Sequence, residues 1–214
     1  MDTTRQARVA RALAGFSAVA ILSIGSPAIA QTIIDEWASV KTPPPPELKP
    51  VTVGNVGETA FLVLDIQKQN CLPRPRCVAS VPKIQKFLSD ARAKGMPVVH
   101  ATFSGKVEDI LPEAAPRSGE PMVASGPDKF VASDLEKILK GKGIKTVIVV
   151  GTAAHGAVLY TASGAAFRGF KVILPVDGMA AENTYIEQYV TYQLANGPRL
   201  GGAVTLTKFD LVKL

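Results

Sequence analysis

The sequence predicts an α/β protein of three layers, in which a mostly parallel, doubly wound sheet lies between two layers of helices. Two observations support this class. Several segments are apolar almost throughout, which is typical of strands buried on both faces. Segments with the helical spacing of apolar residues lie between most of them. The predicted strands are 59–66, 97–103, 146–150, 171–177 and 203–207. Ligands of such sheets bind beyond the carboxyl ends of the strands.

The first predicted helix follows the strand at 59–66. Ser80, Val81 and Pro82 are expected to begin it, because proline is tolerated in the first turn, where its missing N–H costs little. Gly95 is expected to end it. The spacing of its apolar residues predicts one buried stripe, which contains Ile84, Phe87, Leu88 and Ala91.

Further start and stop signals bound the later helices. Ser133 and Glu136 form a predicted capping box in the stretch SDLE. A helix is predicted over 155–168, where the glycine that follows ends it. Asn183 is the predicted N-cap of the last helix. Together with the strands, these helices complete the alternating pattern of a parallel sheet.

The N-terminal residues 1–30 have the three-part layout of a secretory signal peptide: basic residues, an apolar run and small residues before the cleavage site. A membrane anchor is the alternative, but the apolar run is too short to span a bilayer and has no stop-transfer flank. Sec-type export with cleavage after Ala30 predicts a secreted or periplasmic bacterial protein without membrane contact. Residues 31–58 are a proline-rich lead-in of extended backbone, and the folded domain is expected over 59–214.

The composition of the chain limits the classes of partner that it is expected to bind. The formal net charge is +6, with basic residues scattered along the chain. Nucleic-acid binding needs a basic stripe or stacking aromatic residues, so we expect a small-molecule partner instead. Cys71 and Cys77 predict a disulfide in an exported protein, although Cys71 could instead be a reactive thiol. The two histidines, His100 and His155, have no neighbours that would complete a zinc site, so neither a metal nor another cofactor is expected.

Two predicted strand ends carry candidates for chemistry. Asp65 closes the first strand, where apolar neighbours would raise the pKa of its carboxyl and suit it to act as a base. A capping role or an ion pair with Lys68 is the alternative. The stretch GTAAHGAVLYTASG, which begins at Gly151, is predicted to be a strand-to-helix turn that forms a backbone pocket. Neither cysteine nor serine stands where that turn would hold a nucleophile.

Three stretches together resemble one known family. VLDIQKQNC, GPDKFVASDLEKIL and KGIKTVIVVGTAAHGAVLYTASGAAFRGFKVILPVDGMAAEN occur in the order and spacing of the isochorismatase-like cysteine hydrolases. That family includes nicotinamidases, N-carbamoyl-amide hydrolases and isochorismatase itself. The resemblance covers residues 59–208, and it implies a Rossmann-like fold and an active site at the ends of the strands.

The resemblance implies a catalytic triad of aspartate, lysine and cysteine. Asp65 matches the aspartate, which takes the proton of the attacking thiol. Ala157 stands at the position of the cysteine, so the nucleophile is lost. The N–H groups of Ala153 and Ala157 match the donors that hold the oxyanion, and a cis peptide bond is expected between Thr152 and Ala153.

The resemblance leaves the lysine without a clear match. Gln67 and Phe130 match the family's glutamine and phenylalanine and are expected to line the pocket. The lysine should lie several residues before Phe130, near Ala124, where none is found. Lys129 directly precedes Phe130 and is therefore predicted to point elsewhere, at most as a pocket wall. On this interpretation the triad is degenerate.

The expected function follows from these matches. The resemblance implies a hydrolase fold that acts on, or binds, a small amide or other carbonyl compound, and a homo-oligomer. His155 could activate water together with Asp65, or it could simply cap the helix or line the pocket. The alternative is a catalytically inactive relative that binds a small molecule or a protein partner. Ala157 could be natural or engineered, and the apparent loss of the lysine as well favours natural loss.

Overall fold

The computed structural model describes residues 31–214, so the predicted signal peptide lies outside the described residues. The chain divides into two compact units, Met1–Pro43 and Pro44–Leu214. In the first unit, the described residues contain one 3-10 turn, at Trp37–Ser39. The second unit contains the sheet and all the strands and helices named below. Within the described residues, no helix is both long enough and apolar enough to cross a membrane.

The sheet of the second unit is parallel, as the apolar runs predict. The strands are β1 (Val51–Thr52), β2 (Thr59–Leu64), β3 (Val98–Thr102), β4 (Met122–Ala124), β5 (Thr146–Thr152), β6 (Lys171–Pro175), β7 (Met179–Ala180), β8 (Val204–Thr207) and β9 (Val212–Lys213). In the sheet they run in the order β4-β3-β2-β5-β6-β8, and β7 pairs with the end of β5. A separate parallel pair joins β1 to β9.

Helices cover both faces of the sheet, which confirms the predicted fold class. Side chains of β2 alternate between the two faces: Phe61 packs with the helix that follows β2, whereas Leu62 packs with the helices that follow β5 and β7. Each face has its own buried cluster, so the sheet is the middle of three layers. The helices are α1 (Lys68–Cys71), α2 (Pro75–Ala93), α3 (Leu135–Gly141), α4 (Leu159–Phe167) and α5 (Thr184–Asn196).

Helix α2 begins at Pro75, not at Ser80 as the sequence predicts. Pro75 occupies the first turn, where proline suits a helix, and Pro82 lies in the interior of α2. Pro82 removes one intrahelical hydrogen bond. The helix nevertheless continues to Ala93, because a long buried stripe from Cys77 onward packs against the sheet. Gly95 then takes a left-handed backbone with φ of 73°, which ends the helix as expected.

The predicted capping box is wrong: α3 begins at Leu135 after the N-cap residue Asp134, and not after Ser133. The hydroxyl oxygen of Ser133 accepts a hydrogen bond from the Leu135 N–H at 3.1 Å. The Glu136 carboxylate instead pairs with Arg168, at 2.9 Å, and with Lys140. The Glu136 carboxylate therefore binds Arg168, directly after α4, instead of a backbone N–H. Asn183, by contrast, does cap α5, because its side chain accepts from the Ile186 N–H at 3.0 Å.

The lead-in belongs partly to the folded unit. The sequence places the start of the domain at Thr59, whereas the compact unit begins at Pro44. Val51 pairs with Val212 in the β1–β9 pair, so the lead-in supplies a strand whose partner lies at the far end of the chain. A strand of two residues carries no periodicity that the sequence alone would reveal.

Candidate active site

The ends of β2 and β5 form the centre of the site. These strands are neighbours, with Leu64 opposite Gly151, so Asp65 and the turn after Thr152 leave the sheet side by side. Gly151 has φ of 138°, and a Cβ on it would lie 2.0 Å from the Leu64 carbonyl oxygen. Only glycine fits this close approach. The peptide bond between Thr152 and Ala153 is cis, at the bond where the resemblance places it.

Lys129 points into the site and pairs with Asp65. Its Nζ lies 2.9 Å from Oδ1 and 2.8 Å from Oδ2 of Asp65, and it also donates to the Ser125 carbonyl oxygen at 3.1 Å. The lysine is fully buried. The prediction that Lys129 points elsewhere, with the lysine lost near Ala124, is therefore wrong. The aspartate and the lysine are both present, and the argument from a lost lysine for natural loss of the cysteine falls with it.

A turn explains why two consecutive residues, Lys129 and Phe130, are both buried. The Asp128 carboxylate accepts from the Phe130 N–H at 2.9 Å, and the Lys129 N–H donates to the Thr161 hydroxyl on α4 at 3.1 Å. Because of this compact turn, the Lys129 side chain lies at the ends of β2 and β5. Phe130 packs instead in the core, stacked against Phe170 with ring centroids 6.1 Å apart, so it does not form the pocket wall that the sequence predicts.

The electrostatics of Asp65 reflect two opposing effects. Burial raises the pKa of its carboxyl, and the Lys129 ammonium lowers it. The net direction is upward, because loss of hydration penalises the carboxylate more than one cation compensates. The φ of Asp65 is 50°, a left-handed backbone that aspartate tolerates better than most residues. Asp65 is thus a carboxyl held in place with an enhanced tendency to keep a proton.

The turn after β5 presents backbone amides where a nucleophile would stand. One π-helical turn, Ala154–Val158, leads into α4. Ala157 is buried in it and offers only a methyl group. The N–H of Ala153 donates no hydrogen bond within residues 31–214, and the N–H groups in the first turn of a helix generally lack intrahelical partners. Thr152 fixes the turn through its hydroxyl, which donates to the Ala180 carbonyl at 3.1 Å.

Gln67 supports the site rather than lining it. Its side chain is fully buried, and its Nε2 donates to the Ser104 hydroxyl at 2.6 Å. Its Oε1 accepts from the Phe103 N–H at 3.1 Å. These bonds hold the loop that follows β3 against the loop that carries Asp65. The resemblance predicts that Gln67 lines the pocket, but its contacts are those of a residue that positions two loops.

His155 and the two cysteines are the remaining candidates for chemistry. His155 is half-exposed, and its Nδ1 is 3.9 Å from Oε2 of Glu182. Within the described residues, Glu182 is the acidic side chain within ion-pair distance of His155, so the proposed cooperation with Asp65 has no direct contact behind it. Arg74 also binds Glu182, at 2.6 Å. Cys71 and Cys77, on either side of Arg74, are joined by a disulfide with an S–S distance of 2.02 Å, so Cys71 offers no thiol.

Among residues 31–214, no cluster of three or more histidine, cysteine or acidic side chains is arranged to hold a metal ion. His100 is buried inside the protein and contacts Glu120, with 3.0 Å between Nε2 and Oε2. Its burial lowers the pKa of the imidazole, and the residue contributes to packing beside α2.

The fold and the strand-end site define a hydrolase-fold α/β protein with an aspartate–lysine pair beside a cis-peptide turn. The family model of the isochorismatase domain matches residues 59–208. The chain therefore belongs to the isochorismatase family.

Individual relatives agree with this assignment. The secreted isochorismatase effector of Verticillium dahliae is 29% identical over 145 residues, which are 61% of this chain and 76% of that protein. The N-carbamoylsarcosine amidase of an Arthrobacter species is 26% identical over 54% of this chain and 55% of its own length. A solved isochorismatase of Pseudomonas putida KT2440 shares the fold, with a TM-score of 0.65 and 19% identity over 86% of this chain and all of that one (100%).

Proposed function

We propose that this protein is an exported hydrolase that binds a small amide or other carbonyl compound beside Asp65 and cleaves it by direct attack of water. One observation carries the proposal: the buried Asp65–Lys129 pair is intact, although Ala157 replaces the nucleophile. The acid–base part of the site therefore survives without the part that forms a covalent intermediate.

The proposed reaction assigns each group one task. Asp65 accepts a proton from water while the water oxygen attacks the carbonyl carbon. The N–H groups of Ala153 and Ala157 hold the oxyanion. Asp65 then returns the proton to the leaving nitrogen or oxygen, and the carbon–heteroatom bond breaks. The three protons of Lys129 are engaged by Asp65 and Ser125, so Lys129 acts by position and charge.

The absence of the thiol limits what the site can cleave. Loss of a nucleophile from a covalent mechanism costs a factor on the order of 10⁴ to 10⁶ in rate. What remains in such enzymes is acceleration of roughly 10³ to 10⁴ over water, from the oxyanion donors and binding. Activated carbonyl compounds, such as esters and ureides, are therefore better candidates than simple amides.

The relatives support the chemical class and the location of the proposal. One is named an amidase and one a secreted effector. With the predicted signal peptide, these names support a secreted or periplasmic protein. We propose a homo-oligomer as well, because the exposed faces of α4 and α5 carry aromatic side chains, Tyr160, Tyr185, Tyr189 and Tyr192, and exposed tyrosines are common at interfaces.

A second candidate function is a catalytically silent member that binds a small molecule or a protein partner in the same pocket. Ala157 favours it, because an alanine has no lone pair with which to attack. In this case the Asp65–Lys129 pair would serve to orient a bound carbonyl group.

One panel of substrates separates the two candidates. The exported form of the protein is assayed on amides, ureides and esters beside Asp65→Asn, Ala157→Cys and the control Asp90→Asn, which makes the same change on the exposed face of α2. Turnover by the parent and Asp90→Asn that is lost in Asp65→Asn supports water-based hydrolysis. Turnover by Ala157→Cys alone supports the silent candidate. Turnover that survives Asp65→Asn contradicts the assignment of the base.

A further inference from the structure

The parts that remain in this site are those of a reaction that needs no nucleophile. A carboxylate can remove a proton from carbon, and nearby N–H groups can hold the enolate oxygen that results. Neither step uses the position of Ala157 for anything except its backbone N–H. Hydrolysis, by contrast, needs a water molecule that enters the site and attacks the carbonyl carbon.

We infer that the site also catalyses enolisation of small carbonyl compounds, in which Asp65 removes and returns a proton on the carbon next to the carbonyl group. The inference rests on the part of the proposed function that places a carbonyl group at the Ala153 and Ala157 amides. It adds an activity that hydrolysis does not require.

The step balances without a co-reactant. The bond between carbon and hydrogen breaks, and its electron pair forms the carbon–carbon double bond of the enolate. The carbonyl oxygen takes the negative charge and accepts hydrogen bonds from the amides. The proton rests on an oxygen of Asp65, where it exchanges with solvent, and a proton then returns from Asp65 to the same carbon, so nothing is oxidised or reduced.

The geometry places the base and one oxyanion donor next to each other. Leu64 and Gly151 are paired across β2 and β5, and Asp65 and the Thr152–Ala153 bond follow them directly on adjacent strand ends. The Ala153 N–H has no partner within residues 31–214. Lys129 contacts both oxygens of Asp65, but each oxygen has a second lone pair that can accept a proton.

The burial of the residues around Asp65 favours the removal of a proton from carbon. Lys129 and Ala157 are buried, and Asp65 retains only a small exposed area, so these groups are largely shielded from bulk solvent. Hydrogen bonds to an oxyanion are worth more in such a site than in water. Burial also raises the pKa of Asp65, which makes its carboxylate a stronger base than an exposed one.

Base strength defines the substrate class. Even with a raised pKa, a carboxylate is too weak a base to remove a proton from a simple ketone efficiently. A carbon between two carbonyl groups is far more acidic. We therefore assign 1,3-dicarbonyl compounds and their esters as the class of substrate.

One probe tests the inference and the proposed function separately. Ethyl acetoacetate is incubated with the full exported protein in D₂O at low buffer concentration, and proton NMR follows both exchange at C2 and release of ethanol. We expect C2 exchange on the order of 10²-fold above the buffer rate, the lower range of general base catalysis. Asp90→Asn is expected to match the parent.

Two variants test whether the exchange takes place at this site. Asp65→Asn removes the base, and Ala157→Leu adds a larger side chain beside the amides without changing Asp65 or Lys129. Thermal unfolding checks that both variants are folded. Loss of exchange in either folded variant supports the inference. Exchange at the buffer rate in the parent, or exchange that persists in Asp65→Asn, overturns it. Release of ethanol without faster exchange also overturns the inference but leaves hydrolysis standing, whereas exchange without ethanol release supports the inference and counts against hydrolysis.

Discussion

Lys129 is the residue on which the candidate site most depends. Its ammonium contacts both oxygens of Asp65 and one backbone carbonyl, and its side chain is fully buried. A buried ion pair of this kind adds little net stability, but removal of one partner leaves a buried charge without compensation. The same pair therefore holds Asp65 in place and makes the site sensitive to single substitutions.

The change Lys129→Met tests this dependence. Without the ammonium, the pKa of Asp65 rises above its already raised value, and ionised Asp65 is left buried. We expect a loss of about 3–5 kcal/mol in the free energy of unfolding at pH 7. A group whose folded pKa is raised costs stability as pH rises through that pKa, so the loss should shrink at pH 5.

Urea unfolding at the two pH values measures the effect. Lys145→Met serves as the control, because Lys145 forms an exposed pair with Glu58 and should change stability by less than about 1 kcal/mol. A loss for Lys129→Met that is the same at pH 5 and pH 7 would contradict the argument.

At the scale of elements, the segment before α3 and the helix α4 are packed closely enough to fix Lys129. A Cβ on Gly164 would lie 2.9 Å from Oδ1 of Asp128, the oxygen that accepts from the Phe130 N–H. The Lys129 N–H reaches Thr161 on the same helix. The smallest residue in α4 thus lets the turn that carries Lys129 approach the helix.

The sequence predicts the main strands and most helices because their apolar patterns are long. It misses β1, β4, β7 and β9, which have two or three residues each and no period to detect. Lys129 is missed for a different reason. The resemblance places the lysine several residues before Phe130, so Lys129, directly beside the phenylalanine, is predicted to point elsewhere. Only the turn closed by Asp128 shows that both side chains can be buried. The match of Asp65 and Ala157 is different, because it follows from the motifs of the resemblance: Asp65 directly follows β2, and Ala157 lies in the turn after β5.

The change Gly164→Val tests the packing of this turn. The added side chain must displace Asp128, and overpacking of this kind costs about 1–3 kcal/mol. We expect lower stability by urea unfolding together with weaker turnover or ligand binding, because Lys129 moves with the turn. Gly141→Val is the matched control in α3, where an added Cβ meets no atom within 4 Å. Equal losses in the two variants would show that helix propensity, and not the contact, is responsible.

A second link between elements joins α2 to the loop before β4. Arg92 on α2 binds both oxygens of Glu120, at 2.7 and 2.8 Å, and Glu120 also accepts from the Arg117 N–H. Burial opposes ionisation of this carboxyl, but these hydrogen bonds together lower the pKa of Glu120 to about 2.

This link predicts acid sensitivity. A lowered folded pKa contributes stability above the unfolded pKa, near 4.5, and that stability is lost as pH falls toward 2. The contribution at pH 7 is about 3 kcal/mol at most. In Glu120→Gln this part of the pH dependence should disappear, as measured by urea unfolding between pH 6 and pH 3. An unchanged slope in that interval would show that Glu120 is not the group responsible.

At the scale of the whole molecule, the disulfide links the predicted export to folding. Cys71 and Cys77 are fully buried, and the bond between them ties α1 to the start of α2. Structural disulfides of this kind form in oxidising compartments. The chain has no other cysteine, so the number of free thiols reports directly on the compartment in which it folded.

We therefore expect the exported protein to begin at Gln31 and to contain no free thiol. In Ala30→Arg the small residue before the cleavage site is lost, so processing should fail and the full leader should remain attached. Intact mass and thiol titration under denaturing conditions measure both properties in fractions taken inside and outside the cytoplasmic membrane. Ser39→Arg is a control, because it adds the same charge beyond the cleavage site. Recovery of the complete 214-residue chain in the cytoplasm with two titratable thiols would contradict export, since an oxidising compartment is what joins Cys71 to Cys77.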